Sequence, residues 1–179
     1  ASMPLVVIDA GHGGFDPGAG TGSVREKEVA LAIATAIRDR LLEGGGVRVA
    51  MTRDNDRFIA LADRPDIARR LNADMFLSVH ADSAESDSAR GASVYVLSEK
   101  GSSEAAERFT ARGNGNVMVN GVSLSRTSPG VGAILLDLSQ RGTQAGSIEL
   151  ADLMLRELRA DGIGLHHEKA EAAALAVLK

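Results

Sequence analysis

The sequence predicts an α/β fold: a mostly parallel, twisted sheet flanked by helices on both faces, in a single domain. Three observations carry this expectation. Short apolar, β-branched runs at 5–8, 47–51 and 75–79 alternate with stretches whose apolar residues recur at helical spacing. The 179 residues suit one domain with a substantial core. Histidines follow two of the apolar runs directly, at the strand ends where open α/β sheets keep their ligands.

Taken in order, Leu5 to Ile8 reads as a buried strand entering Gly11-His12-Gly13-Gly14, where the glycines allow a sharp backbone turn. Residues 16–22 are turn-rich. Ser23-Val24-Arg25-Glu26 has the form of a capping box, and Val29, Ala30, Ile33, Ile37, Leu41 and Leu42 make 26–43 an amphipathic helix. Gly44-Gly45-Gly46 stops it. Val47 to Met51 is the second strand, 52–56 a polar loop, and 59–71 the second helix, with Pro65 tolerable in its early part. Met75 to His80 is the third strand and Gly91 to Leu97 the fourth, separated by a Ser/Asp/Ala-rich loop. Residues 102–112 look helical. The 113–130 stretch is rich in Gly, Asn and Ser without a sustained period, and reads as a long surface loop or mobile insertion. A long helix over 131–159 should bend or break near Gly142 or Gly146, and Ala173 to Leu178 reads as a further strand.

Composition excludes several classes. The formal net charge is −4 with no block of like charges, so nothing points to nucleic acid or an anionic membrane. No run is long enough to span a bilayer. Cysteine is absent, which removes thiolate ligands, disulfides and a thiol nucleophile. With four Phe, one Tyr and no Trp, the core must be built from aliphatic residues and Met. Ala1-Ser2-Met3 leads straight into the first strand without a signal peptide, and the expectation is that a targeting segment has been removed.

The glycine loop matches neither G-x-G-x-x-G nor a P-loop. In a parallel sheet, His12, Glu26 and His80 fall on one edge, and two imidazoles with a carboxylate form the set used by hydrolytic zinc sites that leave a fourth position for water. Glu26 reads in two ways, as the last residue of a capping box or as a ligand. Asp82 either orients His80 as a supporting carboxylate or caps the following loop. The adjacent His166 and His167 point in different directions on any regular element, which favours a surface or packing role. No G-x-S-x-G elbow is present.

At these residues the sequence resembles the zinc-dependent N-acetylmuramoyl-L-alanine amidases that cut peptidoglycan during daughter-cell separation. The resemblance runs over almost the whole chain, through Ile8 to Gly14, Asp16-Pro17-Gly18, Arg25-Glu26-Lys27, Met51 to Asp54, Arg64, Ile67-Ala68, Ala73-Asp74, Ser78 to Asp82, Gly91 to Tyr95, Ile134 to Leu138 and Ala176 to Lys179. It implies Zn2+ held by His12, Glu26 and His80. The amide cut would join the lactyl group of N-acetylmuramic acid to the L-alanine of the stem peptide, in the periplasm. It places the general-base glutamate in a strand beyond Lys179, a motif that neither Glu168 nor Glu171 matches. Arg64 is expected to be a structural partner between helix and loop. Division-type members also carry an insertion that plugs the site with a glutamate until an activator with a LytM-like domain displaces it. Residues 101–130 are expected to hold that insertion, with the blocking position near Gly113, or with Glu104 or Glu107 as the inhibitory side chain. Two other readings stand beside this one: a non-catalytic zinc-containing cell-wall binding or regulatory domain, and a metal hydrolase of another amide.

Overall fold

The structure is a computed structural model that describes residues 3–21, 23–82, 90–111, 118–119, 122–123 and 129–179. It has the expected mixed α/β architecture, and it divides into two compact units, Ala1–Asp87 and Ser88–Lys179.

The first unit runs β1 (Leu5–Ala10), β2 (Gly20–Thr21), β3 (Val24–Arg25), α1 (Glu26–Gly44), β4 (Arg48–Met51), α2 (Asp63–Arg70) and β5 (Met75–Val79). Its sheet has the order β4-β1-β5, with both pairings parallel and registers such as Val6 opposite Val49 and Val7 opposite Phe76. The central β1 is buried along its whole length, as a parallel strand covered on both faces must be. Its alternation explains the layering. Val6, Ile8 and Ala10 pack with Ala34, Leu31, Ile37 and Leu41 of α1, whereas Leu5 and Val7 pack with Ala68 of α2. Fully burying a Val or Ile side chain contributes about 1.5–3 kcal/mol, so this six-residue strand anchors the unit.

Some local readings change. No side-chain cap bond is made at Arg25, the N-cap of α1, so the capping box is not realised and the Glu26 carboxylate is turned elsewhere. The helix α2 starts at Asp63 rather than at 59, because the Ile59 carbonyl that would continue it accepts from Arg64 Nη2 instead, at 3.0 Å. Pro65 then falls in the first turn, where its missing N–H costs nothing.

The second unit contains β6 (Tyr95–Leu97), α3 (Glu99–Ala111), β7 (Met118–Val119), β8 (Val122–Ser123), α4 (Pro129–Ala160), β9 (Glu171–Ala173) and a 3-10 turn at Ala176–Leu178. β6 and β9 pair in parallel, and β7 and β8 antiparallel. The fourth strand is therefore shorter than 91–97, and the last one ends where 173–178 was expected to begin. α4 runs unbroken through Gly142 and Gly146, contrary to the expected interruption. The expected loop over 113–130 lies largely outside the described residues. Among the described residues, no helix is long and apolar enough to cross a membrane.

Candidate metal centre

The first unit gathers the three predicted ligands. His12 follows β1, Glu26 opens α1 and His80 follows β5, so the C-terminal ends of two neighbouring strands and one helix start converge. His12 Nε2 lies 3.0 Å from Glu26 Oε2, and His80 Nδ1 lies 3.0 Å from Glu26 Oε1. One ligand atom from each residue falls within 4.8 Å of the others. The two imidazole rings meet edge to face at 5.1 Å.

The backbone is shaped for this approach. His12 adopts φ 60, a left-handed conformation uncommon for a residue with a side chain. It is held there by Arg64 Nη2, which donates to the His12 carbonyl at 2.8 Å. A Cβ on Gly11 would come within 2.5 Å of the His80 ring. One on Gly18, at φ +67, would meet Glu26 Oε2 and His12 Cδ2 at 2.6 Å. Glycine at these two positions is a condition of the cluster.

Glu26 is nearly buried. Burial pushes its carboxyl up, but the N–H groups of Ala19 and Ala81 donate to its two oxygens at 2.8 and 3.0 Å. Together with His12 and His80 they outweigh the burial and hold it below the ordinary carboxylate value. His12 Nδ1 is engaged by Asp16 Oδ2 at 2.8 Å, which leaves Nε2 for the shared centre. That hydrogen bond is also the main cause of a lowered Asp16 pKa.

Sequence reasoning missed this supporting shell. Asp16 stands four residues from His12 in the same loop, and that proximity was the available signal. The described contacts do not join Asp82 to His80. Asp82 is exposed, and the described carboxylates that bond to these two histidines are Asp16, to His12, and Glu26, to both. Arg53, 1% exposed, donates to the carbonyls of Ala10, Gly11 and Lys27 at 2.7–2.9 Å and ties the loop to α1. Arg64, expected as a structural partner, is buried and donates to Asp9 and to the carbonyls of Ala10, His12 and Ile59. In the second unit, Glu104 pairs with Lys179, His166 and His167 are exposed, and His167 lies 3.5 Å from Glu171. The side chain of Glu107, and Gly113 with the blocking position assigned to it, lie outside the described residues.

Two imidazoles and one carboxylate held below its ordinary pKa, with no thiolate, suit a single borderline cation such as zinc. Fold and site together define an α/β domain with a cluster that could hold a metal ion. The family described as N-acetylmuramoyl-L-alanine amidase matches residues 6–179, and the chain belongs to that family. It is 39% identical over 177 residues to N-acetylmuramoyl-L-alanine amidase AmiC of Neisseria meningitidis serogroup B, covering 98% of this chain and 42% of the relative. The identity to AmiA of Escherichia coli K12 is 38% over 177 residues, covering 98% and 61%. Among solved structures it is similar to the catalytic domain of CwlV, an N-acetylmuramoyl-L-alanine amidase from Bacillus (Paenibacillus) polymyxa. That match has a TM-score of 0.51 and 34% identity, covering 62% of this chain and 64% of the other. The chain thus spans roughly two-fifths to three-fifths of the two curated relatives.

Proposed function

We propose that residues 1–179 belong to one catalytic domain of a zinc-dependent peptidoglycan amidase. It hydrolyses the amide between N-acetylmuramic acid and the L-alanine of the stem peptide, in the periplasm, during septal cell-wall splitting. The observation that carries this reading is the convergence of His12, Glu26 and His80 in a chain of this family.

His12 through Nε2, Glu26 and His80 through Nδ1 would hold the ion. When bound, Zn2+ supplies Lewis acidity toward the scissile carbonyl and lowers the pKa of water. The chain's own residues prepare the site. Asp16 fixes the ring and tautomer of His12, and the Ala19 and Ala81 amides keep Glu26 charged. Arg53 and Arg64 clamp the strand end against rearrangement. Glu26 and Asp16 are both engaged by the histidines, so their role is to hold the centre. In the same reading 101–130 is a regulatory insertion released by a LytM-domain activator, supported by the family resemblance.

The test is digestion of purified peptidoglycan by the zinc-loaded full-length protein with a LytM-domain activator added, with products identified by mass spectrometry. Free stem peptides beginning with L-alanine, and none from His80→Ala, are expected. Binding to peptidoglycan without peptide release would instead favour the non-catalytic reading.

A further inference from the structure

The loop that carries His12 ends in a feature the metal does not need. Gly13 and Asp16 exchange backbone hydrogen bonds at 3.0 and 3.2 Å, making a tight turn with Gly14 and Phe15 at its tip. Gly14, at φ 60, meets the demand for a positive φ at the first central position, and the second accepts most residues. Nothing in the turn calls for phenylalanine. Yet Phe15 is 81% exposed, more than any other large apolar side chain among the described residues. It stacks on Phe58, also exposed, with ring centroids 4.1 Å apart and planes 30° from parallel. In a chain of four Phe, one Tyr and no Trp, two aromatic rings are thus placed together in water.

Their position is fixed. Gly14 N–H donates to Asp56 Oδ1 at 2.9 Å, Lys27 Nζ donates to the Gly14 carbonyl at 2.8 Å, and Lys27 and Asp56 pair at 2.6 Å. Asp16, the next residue after Phe15, is the carboxylate on His12. The stack is therefore a preset apolar surface one residue from the support of the metal-binding trio.

We propose that the Phe15–Phe58 stack is a sugar platform of this site, receiving the pyranose ring on the muramoyl side of the scissile amide. The assignment rests on the amidase reading above. The bond in question has a hexose derivative on one side and L-alanine on the other. A pyranose presents a flat face of C–H groups, whose partial positive charge suits the negative face of an aromatic ring. The alanine offers a single methyl.

The test compares Phe15→Ala and Phe15→Trp with the unaltered protein on two soluble substrates. One is an N-acetylglucosaminyl-N-acetylmuramoyl peptide, and the other a D-lactoyl peptide with the same amide and no ring. Zinc content and Tm confirm that each variant is folded. Phe15→Ala is expected to lower the kcat/KM ratio of sugared over lactoyl substrate about fivefold, through KM, and Phe15→Trp to keep it. An unchanged ratio in Phe15→Ala overturns the platform. If the zinc-loaded full-length protein, with a LytM-domain activator added, cleaves neither substrate, the amidase reading fails by itself. The platform is then judged by NMR saturation transfer to the free disaccharide, which supports it if lost in Phe15→Ala and overturns it if retained.

Discussion

Asp9 shows how much of this site is held by side chains that never touch the centre. It is fully buried on the α2 face of β1, and accepts from Thr52 Oγ1 at 2.6 Å, Ser78 Oγ at 2.7 Å and Arg64 Nη1 at 3.0 Å. Removing one partner of such a pair strands a buried charge, at a cost of about 3–5 kcal/mol. Arg64→Ala should lower stability by that order in chemical denaturation, and should also loosen His12, whose carbonyl the same guanidinium holds. Asp16→Asn should act differently, weakening zinc affinity about 10- to 100-fold in a chelator competition while leaving Tm nearly unchanged. Asp56 offers a pH signature. The hydrogen bond from Lys27, then that from Gly14 N–H, holds its pKa below the ordinary 3.8. A lowered carboxylate stabilises the fold fully above its unfolded value, and that contribution is lost as pH falls through the folded value. The Tm difference between the unaltered protein and Asp56→Asn should therefore be constant near neutrality and shrink below about pH 4.

At the scale of elements, the apolar periodicities were readable because tertiary packing reinforced them. The Leu5 to Ile8 run became the buried β1, and Ile37 and Leu41 of the predicted spacing join Leu31 and Ala34 on the α1 face that covers it, whereas Ile33 and Leu42 are exposed. Local signals that compete with tertiary contacts misled. Ser23 to Glu26 has the pattern of a cap, but the Glu26 carboxylate gains more from Ala19, Ala81 and two histidines than from its own helix end. Glycines at 142 and 146 suggested a break, yet α4 passes through both, and a Cβ at either would meet nothing within 4 Å. Gly142→Ala should thus stabilise the protein by about 0.5–1 kcal/mol, measured as an increase in unfolding free energy, because alanine loses less conformational freedom in a helix. A decrease would mean that the helix needs the glycine's freedom.

For the molecule as a whole, the sequence disclosed which residues meet but not what holds them. His12, Glu26 and His80 were visible because parallel-strand topology puts strand ends and helix starts on one edge. Asp16, Arg53 and Asp56 were not, since their roles depend on where a turn and a loop come back to the chain. All three candidate ligands belong to the first compact unit. The most direct test is zinc content by elemental analysis of the purified chain, of Glu26→Gln and His80→Ala, and of His166→Ala with His167→Ala as a control from the second unit. About one zinc is expected in the unaltered chain and in the control, and none retained by Glu26→Gln or His80→Ala. Zinc that persists in both ligand variants, or is lost in the control, would contradict the three-ligand centre.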